Sequence, residues 1–242
     1  MHHVVLWSVS SGGKLTILLN DVPVIERTTT DTGASGQLDV GEWVAPGANT
    51  LTLSFELVGK PAQDNFEVRL IPVATGEFPE ESAAVAKILW ADVPVKAKKF
   101  PFTQTVTVKL EAPTKRLWTD AEKVTLDDAA KKALTELTAT VVDAAKAKDA
   151  GKLYELTAFK IEDLAAYRPA PNKEAFVKGF GGMLQKVTLA PLDPAELTFL
   201  VVAQGRAVAI RRKDGSAPLK SEQGFAMPLY AGKVGGKWVL VR

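Results

Sequence analysis

The chain has no cysteine and only two histidines, His2 and His3, among its 242 residues. The first absence excludes disulfides, thiolate metal sites and cysteine nucleophiles. The second leaves a histidine base or ligand only at one end of the chain, an end expected to be flexible and dispensable. No apolar run approaches the ~20 residues that span a bilayer, so no transmembrane segment is expected. Neither charge dominates: 30 basic side chains stand against 28 acidic ones, a formal net charge of +2. That is far from the basic excess on which phosphate neutralisation depends, and nucleic acid is not expected as a partner. Nor do the charges separate along the chain, since residues 1–118 hold 11 Lys/Arg and 13 Asp/Glu, net −2, and residues 119–242 hold 19 and 15, net +4. Met1-His2-His3 runs straight into the apolar Val4-Val5-Leu6-Trp7, without the basic, apolar and small-residue order of a signal peptide. An exported chain whose signal has been removed and a cytoplasmic chain both remain open.

What is present is a change of period near residue 110. Up to Leu110 apolar residues recur at every second position, as in Leu51, Leu53, Phe55 and Leu57; from Leu126 they recur every three or four, as in Ala130, Leu134, Leu137, Val141 and Ala144. Alternation marks strands and the wider spacing marks helices. With 46% apolar and 24% charged residues, each part can bury a core of its own. Two domains are expected: a β-sandwich over 1–112 whose last strand is stopped by Pro113, a linker over 113–124, and an α+β domain over 125–242. Trp118 is expected to plug the interface between them.

Seven or eight strands are expected in the first domain, with candidates over 4–9, 14–19, 22–27, 37–40, 50–57, 66–73, 85–92 and 103–110. Ser10-Ser11-Gly12-Gly13 and Asn20-Asp21 read as hairpin turns, so the strands are expected to follow one another as a meander. In the second, Thr125-Leu126-Asp127-Asp128 has the spacing of a capping box, which starts a helix at Leu126 and runs it to about Lys148. A second helical stretch ends at Arg168-Pro169-Ala170-Pro171. Asn172 caps a third, in which Gly179, Gly181 and Gly182 point to a bend or to close packing. Four strands follow, over 197–203, 206–211, 225–234 and 237–241, with turns at Gln204-Gly205 and Gly235-Gly236.

Two stretches resemble known families. Lys14 to Val24 is a strand, an Asn-Asp turn and a second strand, and Trp43-Val44-Ala45-Pro46-Gly47-Ala48-Asn49-Thr50-Leu51 leads through a Pro-Gly turn into an alternating strand. This pair resembles the galactose-binding-like jelly-roll domains, which implies a jelly-roll sandwich. The helices followed by four strands, ending in Gly236-Lys237-Trp238-Val239-Leu240-Val241, resemble the nuclear-transport-factor-2-like (SnoaL-like) domains. That likeness implies a cone in which helices cover a curved antiparallel sheet.

No nucleophile elbow, phosphate-cradling glycine loop or metal-spaced cluster occurs, and no catalytic residue, metal or cofactor is expected. Candidate pocket residues are Tyr154, Tyr167, Arg211 and Tyr230, all in the second half. Tyr154 and Tyr167 fall about 220° apart around one straight helix and cannot share its face. On the strand at 206–211, Ala207 and Ala209 share a face with Arg211. With Ala203 and Ala226 they either line a cavity anchored by Arg211 or Tyr230, or let a helix sit close. Trp7, Trp43 and Trp90 either form a surface platform for a sugar or fill the core. Asp163 is expected on a helix surface rather than as a general base. Leu197, Phe199 and Val201 alternate with Thr198, Leu200 and Val202, so this strand reads as covered on both faces, by the first domain or by a second copy.

The reading is therefore a noncatalytic binding or interaction protein, with a homodimer or other protein partner, a small molecule or a carbohydrate as candidate ligands. The alternative is a SnoaL-like pocket enzyme, an isomerase or hydratase using carboxylate and tyrosine groups; a structural assembly subunit is a third. Limited proteolysis tests the organisation: the first cut should fall within residues 111–124 and release two fragments that each unfold cooperatively. A first cut inside 30–100 or 150–240, with loss of both halves, contradicts it.

Overall fold

The structure, a computed structural model, describes residues 2–58, 66–110, 116–166 and 168–242. Tyr167 and the first three positions of the expected linker lie outside them. The chain divides into two compact units between residues 115 and 116, and each is taken by itself.

In the first unit, strands form at all eight expected places: β1 (His2–Val9), β2 (Gly13–Leu19), β3 (Val22–Thr28), β4 (Ala34–Asp39), β5 (Gly47–Leu57), β6 (Phe66–Val73), β7 (Ala86–Leu89) and β8 (Phe102–Leu110). They do not form a meander. The chain builds two four-stranded antiparallel sheets, ordered β4-β1-β6-β7 and β3-β2-β5-β8, so Ser10–Gly13 carries it from one sheet to the other instead of turning a hairpin. Thr29 holds this crossing: its hydroxyl donates to the Ser10 carbonyl and its amide to that of Gly13, each at 2.8 Å. The alternating Leu15, Ile17, Leu19, Leu51, Leu53 and Phe55 are completely buried. Phe55 of one sheet meets Phe66 of the other at 5.3 Å, and Trp90, Phe100 and Phe102 complete the aromatic contact between the layers. The expectation of a flexible start is corrected. His2 and His3 pair with Val73 and Pro72, His3 is buried, and its carbonyl accepts the Val40 amide at 2.8 Å.

The second unit begins with the segment expected to be linker. Leu117–Asp120 forms one turn of helix, after which the Glu122 amide donates to the Lys233 carbonyl and the Val124 amide to that of Gly205, each at 2.8 Å. Backbone pairing of this kind builds residues 116–124 into the unit. Four helices follow: α1 (Asp128–Lys146), α2 (Ala150–Leu156), α3 (Ala158–Ala165) and α4 (Lys173–Leu184). The cap of α1 is Asp127 rather than Thr125, because its carboxylate accepts the Ala130 amide at 2.7 Å. The second helical stretch breaks at Thr157, whose φ of −100° and ψ of 9° leave helical geometry and whose hydroxyl turns back to the Leu153 carbonyl. Asn172 does cap α4, accepting the Ala175 amide. Of the three glycines there, Gly181 answers to close packing: a Cβ would stand 3.1 Å from that of Ala150 on α2.

The strands are β9 (Leu197–Val202), β10 (Ala207–Arg212), β11 (Leu219–Lys220), β12 (Ala226–Met227), β13 (Leu229–Val234) and β14 (Lys237–Leu240). The single strand expected over 225–234 is interrupted at Pro228, which has no amide to donate. Its first part, β12, pairs with β11 as a separate ribbon, while the main sheet runs β14-β13-β10-β9. Val208, Ile210, Leu229, Ala231 and Leu240 face Leu134, Val141, Leu153 and Leu184 in one core. The helices therefore cover one face of an antiparallel sheet, an α+β arrangement.

Two asparagines of the first unit, Asn20 and Asn49, are wholly without solvent exposure. Asn20 and Asp21 take φ of 52° and 66°, the left-handed pair that a two-residue hairpin turn demands. The Asn20 amide group donates to the Trp43 carbonyl at 2.8 Å and to Asn49 Oδ1 at 2.7 Å, while Oδ1 of Asn20 accepts the Thr50 amide. Asn49 in turn accepts the Ala45 amide and donates to the carbonyls of Ala45 and Gly47. Asn49→Ala leaves several of these buried groups without partners, at about 1–3 kcal/mol for each one orphaned. The first unit should lose about 2–4 kcal/mol of stability in urea unfolding, with the second unit unchanged; a loss confined to a few tenths contradicts this role.

Candidate functional site

The second unit opens where α1 begins. A cleft of about 500 Å³ lies between the first turns of α1 and the β13–β14 hairpin, with Ala129, Ala130, Ala133 and the half-buried Trp238 as walls and Lys123 and Lys233 among its polar lining. Small side chains on α1 leave this space. Two of its charged groups are already engaged: the Asp127 carboxylate holds the Ala130 amide, and Lys233 pairs with Glu122 at 3.6 Å. Both members of that pair remain some 40–46% exposed, so water screens them and the attraction is worth little. No titratable group in this cleft is sequestered from solvent in the way that general acids and bases are.

In the first unit a groove of about 460 Å³ runs between β3 and β4, the edge strands on one side of the two layers. Trp7 forms part of its lining, with Pro23, Ile25, Arg27, Gln37 and Leu38. A third depression, about 490 Å³, is lined by Pro72, Val73, Glu77, Phe78, Glu80 and Ala83. Phe78 there is 87% exposed.

The structure does not gather the residues named from sequence into one pocket. Tyr154 packs edge-on against Phe176 at 5.5 Å, and Tyr167 lies outside the described residues. Arg211 and Tyr230 sit on the face of the sheet away from the helices, because their neighbours Ile210, Leu229 and Ala231 point into the helical core. Ala203, Ala207 and Ala209 are completely buried, whereas Ala226 is exposed on the separate ribbon. A sugar platform needs open rings, and Trp7, Trp43 and Trp90 are all buried, at 8%, 4% and 7% exposure. Trp90 stacks on Phe100 at 5.1 Å inside the aromatic contact.

The burial of four charged groups, Arg116, Asp163, Arg212 and Arg242, escaped the sequence reading. Asp163 is not on the surface: it is wholly buried, accepts from Arg242 Nη2 at 2.5 Å on one oxygen and from the Leu117 amide on the other. This carboxylate ties α3, the one-turn helix at Leu117–Asp120 and the stretch after β14 together, and both of its oxygens are engaged. Arg212, also buried, donates to the carbonyls of Pro191, Pro218, Ala217 and Ala190 at 2.8–3.4 Å. A planar guanidinium suits such a fan of acceptors. The Asp163 contact spans 79 positions and leaves no local pattern; Arg212 interrupts an alternation that would otherwise place an apolar residue toward the helices. On the surface, the Lys220 ammonium and then Ser216 hold the Asp214 carboxyl well below the usual carboxylate range.

Among the described residues no three His, Asp or Glu side chains come together as a metal site, and no helix is long and apolar enough to cross a membrane. The chain matches no protein-family model, no curated protein and no solved structure.

Removing one member of a buried ion pair costs about 3–5 kcal/mol, because the other charge is left uncompensated. Arg242→Ala should therefore destabilise the second unit by about that amount, and Asp163→Leu combined with Arg242→Met should recover most of it. Urea unfolding of Arg242→Ala and of the double variant measures this; a loss below about 1 kcal/mol in Arg242→Ala would contradict the tie.

Proposed function

We infer that the chain is a noncatalytic protein-interaction module, built from a galactose-binding-like jelly roll followed by a nuclear-transport-factor-2-like domain. The jelly-roll reading is supported by two facing four-stranded sheets between which the chain repeatedly crosses, as eight-stranded jelly rolls do. The second reading is supported by four helices laid on one face of an antiparallel sheet, with the hairpin of Gly236-Lys237-Trp238 at its edge.

The observation that carries the functional reading is the filled interior of the second unit. Leu134, Val141, Leu184, Val208 and Ile210 occupy the space between helices and sheet, with Phe176, Phe180, Phe225 and Trp238 packed around them. An enclosed apolar pocket with a few convergent polar groups is what a cone enzyme uses; here that volume is taken by side chains. Apolar contact is instead offered outward. Phe78 stands in solvent between Glu77 and the acidic Glu80 and Glu81, beside Pro72, Val73 and Ala83, a surface complementary to an apolar side chain flanked by Lys or Arg.

The alternative, a SnoaL-like pocket enzyme, is favoured only by the cleft at the start of α1, and it would place its ligand against Trp238. Titration with anilinonaphthalene sulfonate and with galactose, followed by the Trp238 indole and Leu134 methyl resonances, separates the readings. Neither compound should give saturable shifts at these positions. A photoreactive residue in place of Phe78 should form a discrete protein adduct in extracts of the source cell, an adduct lost when Glu80 is changed to Lys. Saturable shifts at Trp238 and Leu134 would overturn the interaction reading in favour of the pocket.

A further inference from the structure

Two apolar side chains of the first unit are open to solvent far beyond the rest. Phe78 is 87% exposed and Val95 84%; among the described residues no other large apolar side chain passes 49%, the value at Leu200 on β9, where the expected cover on both faces is missing. Side chains left this bare gain from burial only against another surface. Their surroundings carry opposite charge. Phe78 stands between Glu77 and Glu80, with Glu81 beside them, while Val95 opens a one-turn helix that contains Lys96 and is followed by Lys98 and Lys99. Glu81 is drawn back to Arg69 at 3.2 Å, and the Lys98 ammonium sits 5.0 Å above the Trp90 ring. Glu77, Glu80, Lys96 and Lys99 form no ion pair among the described residues.

Shape follows charge. Phe78 borders the depression lined by Pro72, Val73 and Ala83, whereas Val95 projects from a turn whose Pro94, Lys96 and Ala97 are exposed with it. The two do not meet within one copy. The Phe78 loop leads into β7 and the Val95 turn follows it, so they lie at opposite ends of that four-residue strand, roughly 13 Å apart along it.

We propose that the partner of the Phe78 surface is the Val95 turn of a second copy of this chain, with Val95 seated in the depression against Phe78 and the lysines around it meeting the carboxylates of Glu77 and Glu80. This rests on the interaction reading above and names its partner. The occupant is a second copy because the chain itself displays what that surface is complementary to, an exposed apolar side chain among lysines. The two patches differ, so the contact is head to tail: each copy in a pair keeps one patch free, and association adds further copies until the series closes into a ring. One aromatic anchor with a charged rim places the contact at the small, transient end of protein interfaces. Its ion pairs are exposed, and salt screens them.

Sedimentation of the purified full chain, up to millimolar concentration, tests this. The average mass should rise with concentration past twice that of the chain, and should rise far less in about 1 M salt, where the Debye length falls to about 3 Å. Phe78→Ser removes one patch, and Lys96→Glu with Lys99→Glu removes the other; all three side chains are exposed, so folding should stay intact. Each variant alone should remain at the chain mass, while an equal mixture should reach twice that mass and stop, because one working contact is left per pair. Adding Glu77→Lys and Glu80→Lys to the Lys96→Glu, Lys99→Glu chain exchanges the charges and should restore association. Should a variant misfold, the salt response of the unaltered chain still decides. A chain that stays at its own mass, growth indifferent to salt, a mixture no heavier than its parts, or a charge exchange that restores nothing would each overturn the proposal. A Glu80-dependent adduct of the photoreactive position 78 with a different protein would then keep the interaction reading and remove only the second copy; no adduct with any protein would remove both.

Discussion

The hydrogen bond from the Asn20 side-chain amide to Asn49 Oδ1, 2.7 Å long and sealed from solvent, sets the conditions for the first unit. One asparagine ends β2 at a left-handed turn; the other stands near the start of β5. β2 and β5 are neighbours in the same sheet, and the pair fixes how far one slides along the other. A slip of one residue would turn Leu15, Ile17 and Leu19 from the inner face to the outer and strand both amides without partners. Register, burial and polar satisfaction thus depend on the same contact. The aromatic contact from Phe55 to Phe66 and Trp90 can form between the layers only once that register is set.

The second unit meets the same requirement with charge. Asp163 and Arg242 are removed from water as a pair, with the Leu117 amide taking the remaining carboxylate oxygen. Desolvation makes such a pair weak evidence for stability in itself. Its consequence is geometric, since α3, the turn at Leu117–Asp120 and the stretch after β14 must all be in place before either charge is satisfied. Arg212 does comparable work through carbonyls alone, clasping residues 190–191 to residues 217–218. The polar capacity of Asp163 and of Arg212 is taken up by the fold.

Trp7, Trp43, Trp90 and Trp118 are buried, while Phe78 and Leu200 stand exposed among the described residues. An apolar side chain that costs little to leave exposed in one copy returns its burial free energy, about 25 cal/mol per Å² of apolar surface, only when a partner covers it. This division between a closed core and exposed apolar side chains is the physical basis for reading the chain as one that assembles.

The strand positions of the first unit, the helices of the second, the caps at Asn172 and the turns at Asn20-Asp21, Gln204-Gly205 and Gly235-Gly236 were legible in the sequence because each rests on local chemistry: a period of two or of three to four, a side chain reaching an amide three residues on, a backbone needing positive φ. Even there Asp127 displaced Thr125 and Thr157 and Pro228 broke longer elements, since a single side-chain oxygen or a missing amide decides between neighbouring boundaries. Other features were beyond local reading. Whether Ser10–Gly13 turns back or crosses to a second sheet depends on which strand already waits beside β1, and Arg211 and Tyr230 face away from the helices because β10 and β13 turn their other residues inward. Asp163 found its partner 79 positions away. The sequence by itself determined where strands and helices form, because those choices are settled within a few residues; tertiary structure alone decided which strands are neighbours, which charges are buried together and which apolar side chains are left exposed, because those depend on groups that meet only after the chain has folded.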